Sequence, residues 1–557
     1  MIPMTVQSLK PEFKGQIEIQ EKTLVAYSRD ASLFEVKPVA VVFPKDTEDI
    51  KILVRWAINE KQKDKSVSLT ARSAGTDMSG GPLTESVVVD VMRHMNSIKE
   101  IGDRVSLEGV ASGYIVTEPG VFYRDFEKAT LKKGYFLPSY PASRGLCAMG
   151  GIIANDSGGE KSLQYGKTHS YVTGLKVVLS DGEEYAVQPL SAKELDEKIK
   201  EQTSEGRWYK EIYEELEKHY DVIQKKRPTV SKNSAGYNIW DVWDKKTFDL
   251  TKLFVGSQGT LGIITEANFK LVPIQKDSAS GMLVVFLKDL APLAEITNAV
   301  LPSNPSSFES FDDHTFHLAM KFWWGFVKIL AKNPFSLALA FFPEFLMVLF
   351  KGIPKLVLLI EFEERTQGEV DRAIAEVRAK IARFGATMKI ARTKEEAAKY
   401  WAIRRESFNL LRHKVTGMQT APFIDDIIVR PEHLSEFLPK LYAIGEKYEL
   451  LFTIAGHVGD GNFHVIPLMK LSDEAERRKI KPAMDEVYDL VLSYGGSITA
   501  EHNDGLIRSP YLEKMFGKEI VGIFERIKGI LDPQNIFNPG KKVGSSIEYA
   551  LQHIKRS

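Results

Sequence analysis

Residues 71–81 read ARSAGTDMSGG and are entered directly from the strand-like SVSLT of 66–70. A strand that empties into small residues and three glycines can turn several backbone N–H groups towards one anion, because glycine adopts φ values that other residues avoid. The run does not match G-x-G-x-x-G, so it is not the dinucleotide loop built on that fingerprint. Upstream, VAVVFPKDTEDIKILVRWAINE (39–60) predicts a strand, a turn and an amphipathic helix; downstream, SVVVDVMRHMNSI (86–98) predicts a further strand. The loop therefore belongs to an α/β block. On its own it fits either an anion cradle or a plain turn.

The bulk of the chain narrows the setting. Its 557 residues imply about two to four cores, and 43% hydrophobic with 27% charged residues is an ordinary globular composition. Seventy-four basic residues balance 74 acidic ones, which argues against nucleic acid as a partner. The single cysteine, Cys147, excludes an internal disulfide and a cysteine-ligated iron–sulfur cluster within this chain. The opening MIPMTVQSLKPEFKG lacks the basic-then-apolar pattern of a secretory signal, so a cytoplasmic protein is expected. The stretch 321–355, KFWWGFVKILAKNPFSLALAFFPEFLMVLFKGIPK, is very apolar, but Lys328, Lys332 and Glu344 interrupt it and Pro334 and Pro343 break its helical continuity. Spanning a bilayer is not expected. Its lysine flanks suit a helix lying in a membrane interface or docking on a partner, and a buried helical hairpin is the alternative.

A second α/β block runs from about 140 to 273, with strands at GLKVVLSDG and ITEANFKLVP and a charged, helical insertion over about 191–252. It contains PSYPASRGLCAMGGIIANDSGG (138–159) and LFVGSQGTLGIIT (253–265). With the 71–81 loop, in this order and spacing, these runs resemble the FAD-binding domain of the vanillyl-alcohol-oxidase superfamily over residues 38–273. The resemblance implies an FAD site. The loop Arg72, Ser73, Ala74, Gly75, Thr76, Asp77, Ser79 and Gly80 would wrap the pyrophosphate. Ser139, Ser143, Gly150, Gly151, Ala154 and Asn155, the turn Gly256, Gly259, Thr260, Gly262 and Ile263, and Asn538 would line the rest. Many relatives carry Asp in place of Ser139 and Glu in place of Gln258; both changes keep hydrogen-bonding capacity. Relatives that bind FAD covalently through the first loop have histidine where this chain has Thr76, so non-covalent FAD is expected.

A third signal lies in AGHVGDGNFH (455–464), where two of only 11 histidines flank a glycine-rich turn. Neutral imidazoles are common ligands of divalent ions, and a carboxylate often completes the set. AEHNDGLIRSPYL (500–512), after the strand-like SITA, offers Glu501 and His502. Two histidines and one carboxylate would leave positions open for a substrate. From the residues alone, ligation and two satisfied loop histidines stand level. Together GHVGDGNFH and EHNDG resemble the C-terminal domain of the D-lactate dehydrogenase, D-2-hydroxyglutarate dehydrogenase and glycolate oxidase group, over about 280–543. That resemblance implies one divalent metal (zinc, manganese or iron) on His457, His464 and Glu501, His502 as base, and Asn462 in the loop. Many members have glycine after the base histidine, where this chain has Asn503. The variant is similar to the flavin half of long bacterial members that continue into an iron–sulfur region. WAIRRESFNLLRHK (401–414) offers Arg404, favoured over Arg405, for a substrate carboxylate. Tyr237, in SAGYN, matches a tyrosine near the flavin, and Asp426, in FIDDIIV, matches an acidic position without an assigned role.

The expected architecture is α+β. It comprises an N-terminal segment (1–37), a two-part FAD-binding domain (38–273), a cap with an antiparallel sheet (274–500) and a C-terminal segment returning to the flavin (501–557). The expected activity is oxidation of a small D-2-hydroxy acid, with electrons passed to quinone or a separate iron–sulfur protein, at the inner face of the cell membrane. An ether-lipid-synthase-like flavoenzyme and a non-catalytic flavin electron-transfer subunit are the alternatives.

Overall fold

Three valines in a row, Val87–Val89, are fully buried, as are all four residues of Ala40–Phe43. Strands covered on both faces read this way, and parallel pairing is their usual setting. In the computed structural model β1 (Gln16–Glu18), β2 (Ala40–Phe43), β3 (Leu69–Arg72) and β4 (Val87–Asp90) form a sheet in the order β1-β2-β4-β3, with β2, β4 and β3 parallel. The helix Thr47–Lys63 makes the crossover. Asp46 caps it by accepting from the Asp49 N–H, and acidic residues in its first turn and lysines in its last suit the helix dipole. The structure describes residues 6, 8–9, 12–105, 111–275, 278–315, 350, 352–414 and 417–556, with backbone alone at 104–105, 111, 394 and 406–414. The apolar stretch 321–355, expected to lie on a membrane or partner or to form a buried hairpin, lies almost wholly outside the described residues. Among the described residues no helix is long and apolar enough to cross a membrane.

A second sheet is built from β5 (Ile98–Val105), β6 (Ala111–Thr117), β7 (Tyr135–Phe136), β8 (Val172–Val178) and β9 (Glu184–Val187). After a short ribbon of β10 (Leu190–Ser191) and β11 (Thr247–Phe248), β12 (Ile263–Pro273) enters its centre, giving the order β5-β6-β12-β8-β9. The charged 191–252 region holds the helices Ala192–Lys198, Ser204–Lys218 and Tyr220–Lys225. The second of these shares a core with the distant helix Lys518–Leu531 through Trp208, Ile212, Phe524 and Ile527.

The third sheet is antiparallel and has eight strands: β13 (Ala279–Leu287), β14 (Ser307–Asp312), β15 (Leu356–Glu364), β16 (Thr387–Ala391), β17 (Gln419–Thr420), β18 (Ile427–Ile428), β19 (Leu451–His457) and β20 (Asn462–Met469). One face is covered by helices. Gln367–Ile381 buries Val370, Ile374, Val377 and Ile381, a single helical stripe, and seats on the sheet at Gly281, where a Cβ would come within 2.7 Å of Val370 Cγ1. Each such aliphatic side chain contributes about 1.5–3 kcal/mol of burial. The other face is set by register. Glu309 pairs with Leu359, Phe311 with Ala455, and Ala455 with His464. Paired residues share a face and alternate residues return to it, so Glu309, Thr453, Ala455, His457, His464 and Ile466 all project to the same side. The helix Lys394–Lys414 covers the neighbouring part of that face with Tyr400, Trp401 and Ile403. The molecule is thus α+β, with an FAD-domain pair of sheets and a large antiparallel sheet. SITA (497–500) is not a strand: only Ser497 bridges, to Ile428, because Asp426, Lys167 and the Ser234 N–H rather than a neighbouring strand satisfy the backbone of Thr499 and Ala500.

Candidate active site

A cavity of about 630 Å³ is walled both by the 71–77 loop and by His457, His464, Glu501 and His502. Arg72, Ser73, Ala74, Gly75, Thr76, Asp77, Ser143, Gly150, Gly151, Ala154, Asn155, Gly259 and Gly262 line it. Asp77 folds the loop. Its Oδ2 accepts from Ser79 N–H, Ser79 Oγ and Gly81 N–H at 3.0, 2.8 and 2.8 Å, and its Oδ1 accepts from Asn155 Nδ2 at 2.7 Å. Gly75 has φ +66°, which only glycine adopts freely. A Cβ at Gly150 would fall 2.7 Å from Ser73 Oγ, and a side chain at Gly151 would project into the cavity with nothing nearer than 3.8 Å. This is a cradle that lacks side chains where a cofactor has to lie, and it fits a bound flavin dinucleotide.

The remaining loop residues stand behind that wall. Arg72 lines the cavity, but its guanidinium donates to the Tyr27 and Arg29 carbonyls at 3.0 and 2.7 Å, pinning an earlier segment over the loop. Ser79, Gly80, Ser139, Gly256, Thr260, Ile263 and Asn538 do not face the cavity. Ser79 accepts from Gln258 Nε2 at 3.1 Å. Asn538 donates to the Gly81 and Gln258 carbonyls at 3.0 and 2.7 Å and accepts from Thr70 Oγ1 at 3.1 Å. Tyr237, expected beside the flavin, is buried with its hydroxyl 2.7 Å from Thr260 Oγ1. Its ring packs on Phe524, so it supports the turn from behind.

The histidines converge as the sheet register requires. His457 Nε2 lies 3.1 Å and His464 Nε2 3.6 Å from Glu501 Oε1. The other ring nitrogens are held by carboxylates: His457 Nδ1 donates to Glu309 Oε1 at 2.6 Å, and His464 Nδ1 to Asp425 Oδ1 at 3.2 Å. Fixing the proton on Nδ1 leaves each Nε2 lone pair directed at the same point as a carboxylate oxygen. Without an ion, His457 Nε2 and Glu501 Oε1 share a proton as a hydrogen bond at 3.1 Å; a divalent cation can replace that proton and take His457 Nε2, His464 Nε2 and Glu501 Oε1 together. The surroundings also favour positive charge. Burial opposes the imidazolium of His457, yet Glu309 overrides it and pushes the group up to about 9; His502 is likewise raised to about 9 against burial by Asp425 and Asp426. The donor set and its field fit a metal.

His502 donates from Nδ1 to Asp425 Oδ2 at 2.5 Å and stacks on His464 with ring centroids 4.8 Å apart. Asp426, left without a role in the sequence, is the anchor of the strip 499–502. Its Oδ2 accepts from Thr499 Oγ1 and the N–H groups of Ala500, Glu501 and His502 at 2.6–2.8 Å. Asn462 is fully buried, donates to Asp426 Oδ1 at 3.1 Å and does not line the cavity. Asn503 has φ +69°, a left-handed conformation that asparagine and glycine tolerate, and it donates to the Gly256 carbonyl at 2.9 Å. Arg404 and Arg405 both line the cavity. Arg404 Nε donates to Glu309 Oε2 at 3.1 Å, while Arg405 is clamped bidentately by Glu160 across the two domains.

Three participants escaped the sequence reading. Glu309 lies 148 residues before His457 in a strand with no motif of its own. Asp425 stands in FIDDIIV next to Asp426, and adjacent acids before a strand do not reveal which one faces the site. Lys232 stands five residues before Tyr237 and reaches Glu501; a buried lysine in a polar loop leaves no sequence signal.

Comparison with known proteins places this geometry. Two family models match: "FAD binding domain" at residues 38–188 and "FAD linked oxidases, C-terminal domain" at residues 276–542, together about three quarters of the chain. The chain belongs to the FAD-linked oxidases of the vanillyl-alcohol-oxidase/p-cresol-methylhydroxylase superfamily, and FAD is its cofactor. Among its relatives are the D-2-hydroxyglutarate dehydrogenases of Pantoea ananatis and Escherichia coli, each 28% identical over 96% and 95% of this chain and 51% and 50% of their own. The chain thus spans about half their length. The glycolate oxidase subunit GlcD of Bacillus subtilis is also 28% identical, over 93% of this chain and 92% of its own. Substrate-bound p-cresol methylhydroxylase shares the fold at a TM-score of 0.66 and 17% identity, covering 97% of this chain and 96% of that one. An alkyldihydroxyacetonephosphate synthase does so at 0.63 and 17%, covering 97% and 85%.

Proposed function

We propose that the chain is an FAD-dependent dehydrogenase of a small D-2-hydroxy acid, of the D-lactate, D-2-hydroxyglutarate or glycolate class, yielding the 2-oxo acid. The observation that carries this reading is that the cofactor loops, the three converging donors and two arginines wall one cavity. The names of the 28% identical relatives support the same class. When bound, non-covalent FAD supplies the hydride acceptor, and a divalent cation (zinc, manganese or iron) on His457, His464 and Glu501 supplies the positive charge that lowers the pKa of the substrate hydroxyl and of neighbouring His502.

The chain's own residues do the rest. His502, oriented by Asp425, takes the hydroxyl proton at Nε2. Arg404, held by Glu309, orients the carboxylate, with Arg405 at the adjoining wall. Glu309 therefore ties the carboxylate-binding arginine to the metal-ligating His457. Asn462 and Tyr237 act as positioning residues. Electrons leave to quinone or an iron–sulfur partner.

The test is an anaerobic screen of D and L hydroxy acids against the FAD-loaded protein. Rapid bleaching of the flavin by a D-2-hydroxy acid is expected. Flavin that stays oxidised with all of them overturns the reading in favour of an electron-transfer subunit.

A further inference from the structure

Lys232 lies in the 191–252 region, in the loop Ser231–Asn238 that follows its helices and precedes the cofactor turn, far in sequence from every candidate ligand. Its side chain is 2% exposed. Its ammonium donates to Glu501 Oε2 at 3.1 Å and lies 3.1 Å from Asp460 Oδ2. These two carboxylates belong to the two motifs that carry the histidines: Asp460 to the turn between His457 and His464, and Glu501 to the strip beside His502. A lysine with this little exposure is kept charged only by such partners.

The contact divides the work of one carboxylate. Glu501 Oε2 is taken by Lys232, and Oε1 faces His457 Nε2 and His464 Nε2. A carboxylate pinned in this way offers one oxygen, in one direction, to an ion on the two imidazoles. The loop that carries Lys232 is itself sewn to the ligand strip. Ser234 N–H donates to the Thr499 carbonyl, and the buried Lys167 donates to the carbonyls of Asn233 and Ala500. From the other side, Gly158 approaches so closely that a Cβ there would fall 2.7 Å from Glu501 Oε2. The same Cβ would fall 2.8 Å from Ser162 Oγ, and both contacts are with side-chain ends rather than backbone, so the clash displaces the carboxylate and the hydroxyl.

We propose that Lys232 is a positioning residue of the metal centre, through which the FAD-binding half fixes the direction of Glu501 and so sets the affinity of a site whose ligands all lie in the other half. The proposal rests on the reading of His457, His464 and Glu501 as a metal site. Partners that hold a metal ligand from behind typically account for about 10–100-fold in metal affinity.

The experiment strips the FAD-loaded protein with chelator and titrates it with manganese(II) or zinc(II), reading affinity directly and flavin content by absorbance. Wild type, Lys232→Met, Gly158→Ala, Glu501→Gln and the double variant Lys232→Met/Glu501→Gln are compared. Lys232→Met is expected to retain flavin and weaken the metal by about 10–100-fold, and Gly158→Ala to weaken it with Lys232 intact. In the Glu501→Gln background, Lys232→Met should change nothing further. Lys232→Met with wild-type or tighter affinity overturns the proposal. Should that variant not fold, unchanged affinity in Gly158→Ala overturns it instead. A wild type that binds no metal overturns the metal-site reading, and the proposal with it.

Discussion

Asp425 holds His502 from one oxygen, 2.5 Å from its Nδ1, while its other oxygen lies 3.2 Å from Nδ1 of His464. One buried carboxylate thereby sets the tautomer of both the candidate base and a candidate ligand. Burial works against its charge, but the adjacent His502 and His464 hold it well below the usual carboxylate range. An amide at this position removes the charge that both imidazoles face and can donate from Nδ2 to one Nδ1, reversing that tautomer, while its oxygen still accepts from the other. Asp425→Asn is therefore expected to cut kcat by about 10²–10⁴ and metal affinity by about 10–100-fold, with flavin unchanged. Stopped-flow reduction and metal titration read the two effects separately.

His502→Ala should separate the base from the metal. Its Nδ1 is taken by Asp425 and it is not among the three converging donors, so the variant should keep its metal while losing about 10²–10⁴ in the rate of flavin reduction. Metal loss in parallel with activity would reassign His502 as a ligand.

The two arginines should differ. Arg404 is half-hidden against Glu309, and Arg405 is committed to Glu160 at a more exposed position. Arg404→Lys removes bidentate geometry and should raise KM for the hydroxy acid about tenfold or more. Glu160→Gln frees Arg405 and should shift the thermal midpoint little, since exposed pairs contribute about 0–1 kcal/mol. Steady-state kinetics at saturating acceptor check the first and thermal unfolding the second.

Much of this was readable in the sequence, for a physical reason. The loop 71–81, the 138–159 run and the 253–265 turn announce themselves through glycines, because close approach of backbone to a cofactor excludes side chains. The histidine pair was visible because its turn is short. Glu309, Asp425 and Lys232 were not, since their roles arise from strand register and from contacts up to 269 residues apart. SITA looked like a strand by its alternation, but Asp426 and Lys167 satisfy that backbone in place of a partner strand.

Asn503 offers a test of the backbone. At φ +69° its left-handed conformation costs a β-branched residue strain, and its side chain also donates to the Gly256 carbonyl. Asn503→Gly relieves the first and loses the second, so stability should change by only about 1 kcal/mol. Asn503→Val suffers both and should lose about 2–4 kcal/mol. Chemical denaturation of the FAD-loaded proteins measures the difference.

Lys541 gives a pH dependence away from the catalytic centre. Burial pushes it down to about 7, with only partial relief from Asp30 and Glu85, and it donates to the Leu83 carbonyl at 2.6 Å. The unfolded chain holds this proton up to about pH 10.4, so between about pH 7 and pH 10 the unfolded state binds more protons and stability rises with pH. The contribution is fully present above the unfolded value and lost as pH falls through about 7. Lys541→Met should flatten this rise in denaturant midpoints measured at pH 7, 8 and 9, and an unchanged slope would remove Lys541 as its source.

The backbone of residues 536–538 runs along Leu69, whose N–H donates to the Ile536 carbonyl and whose carbonyl accepts from Asn538 N–H, 2.8 and 2.9 Å. The Asn538 side chain then ties the Gly81 and Gln258 carbonyls together. On the ribosome, therefore, the first half of this chain emerges with an open sheet edge and an unlatched cofactor loop. It must wait for more than 450 residues of further synthesis before either can close. Capture of flavin is accordingly a late event in the life of each molecule, and a nascent chain arrested before residue 536 should present its β3 edge to chaperones rather than hold the yellow cofactor.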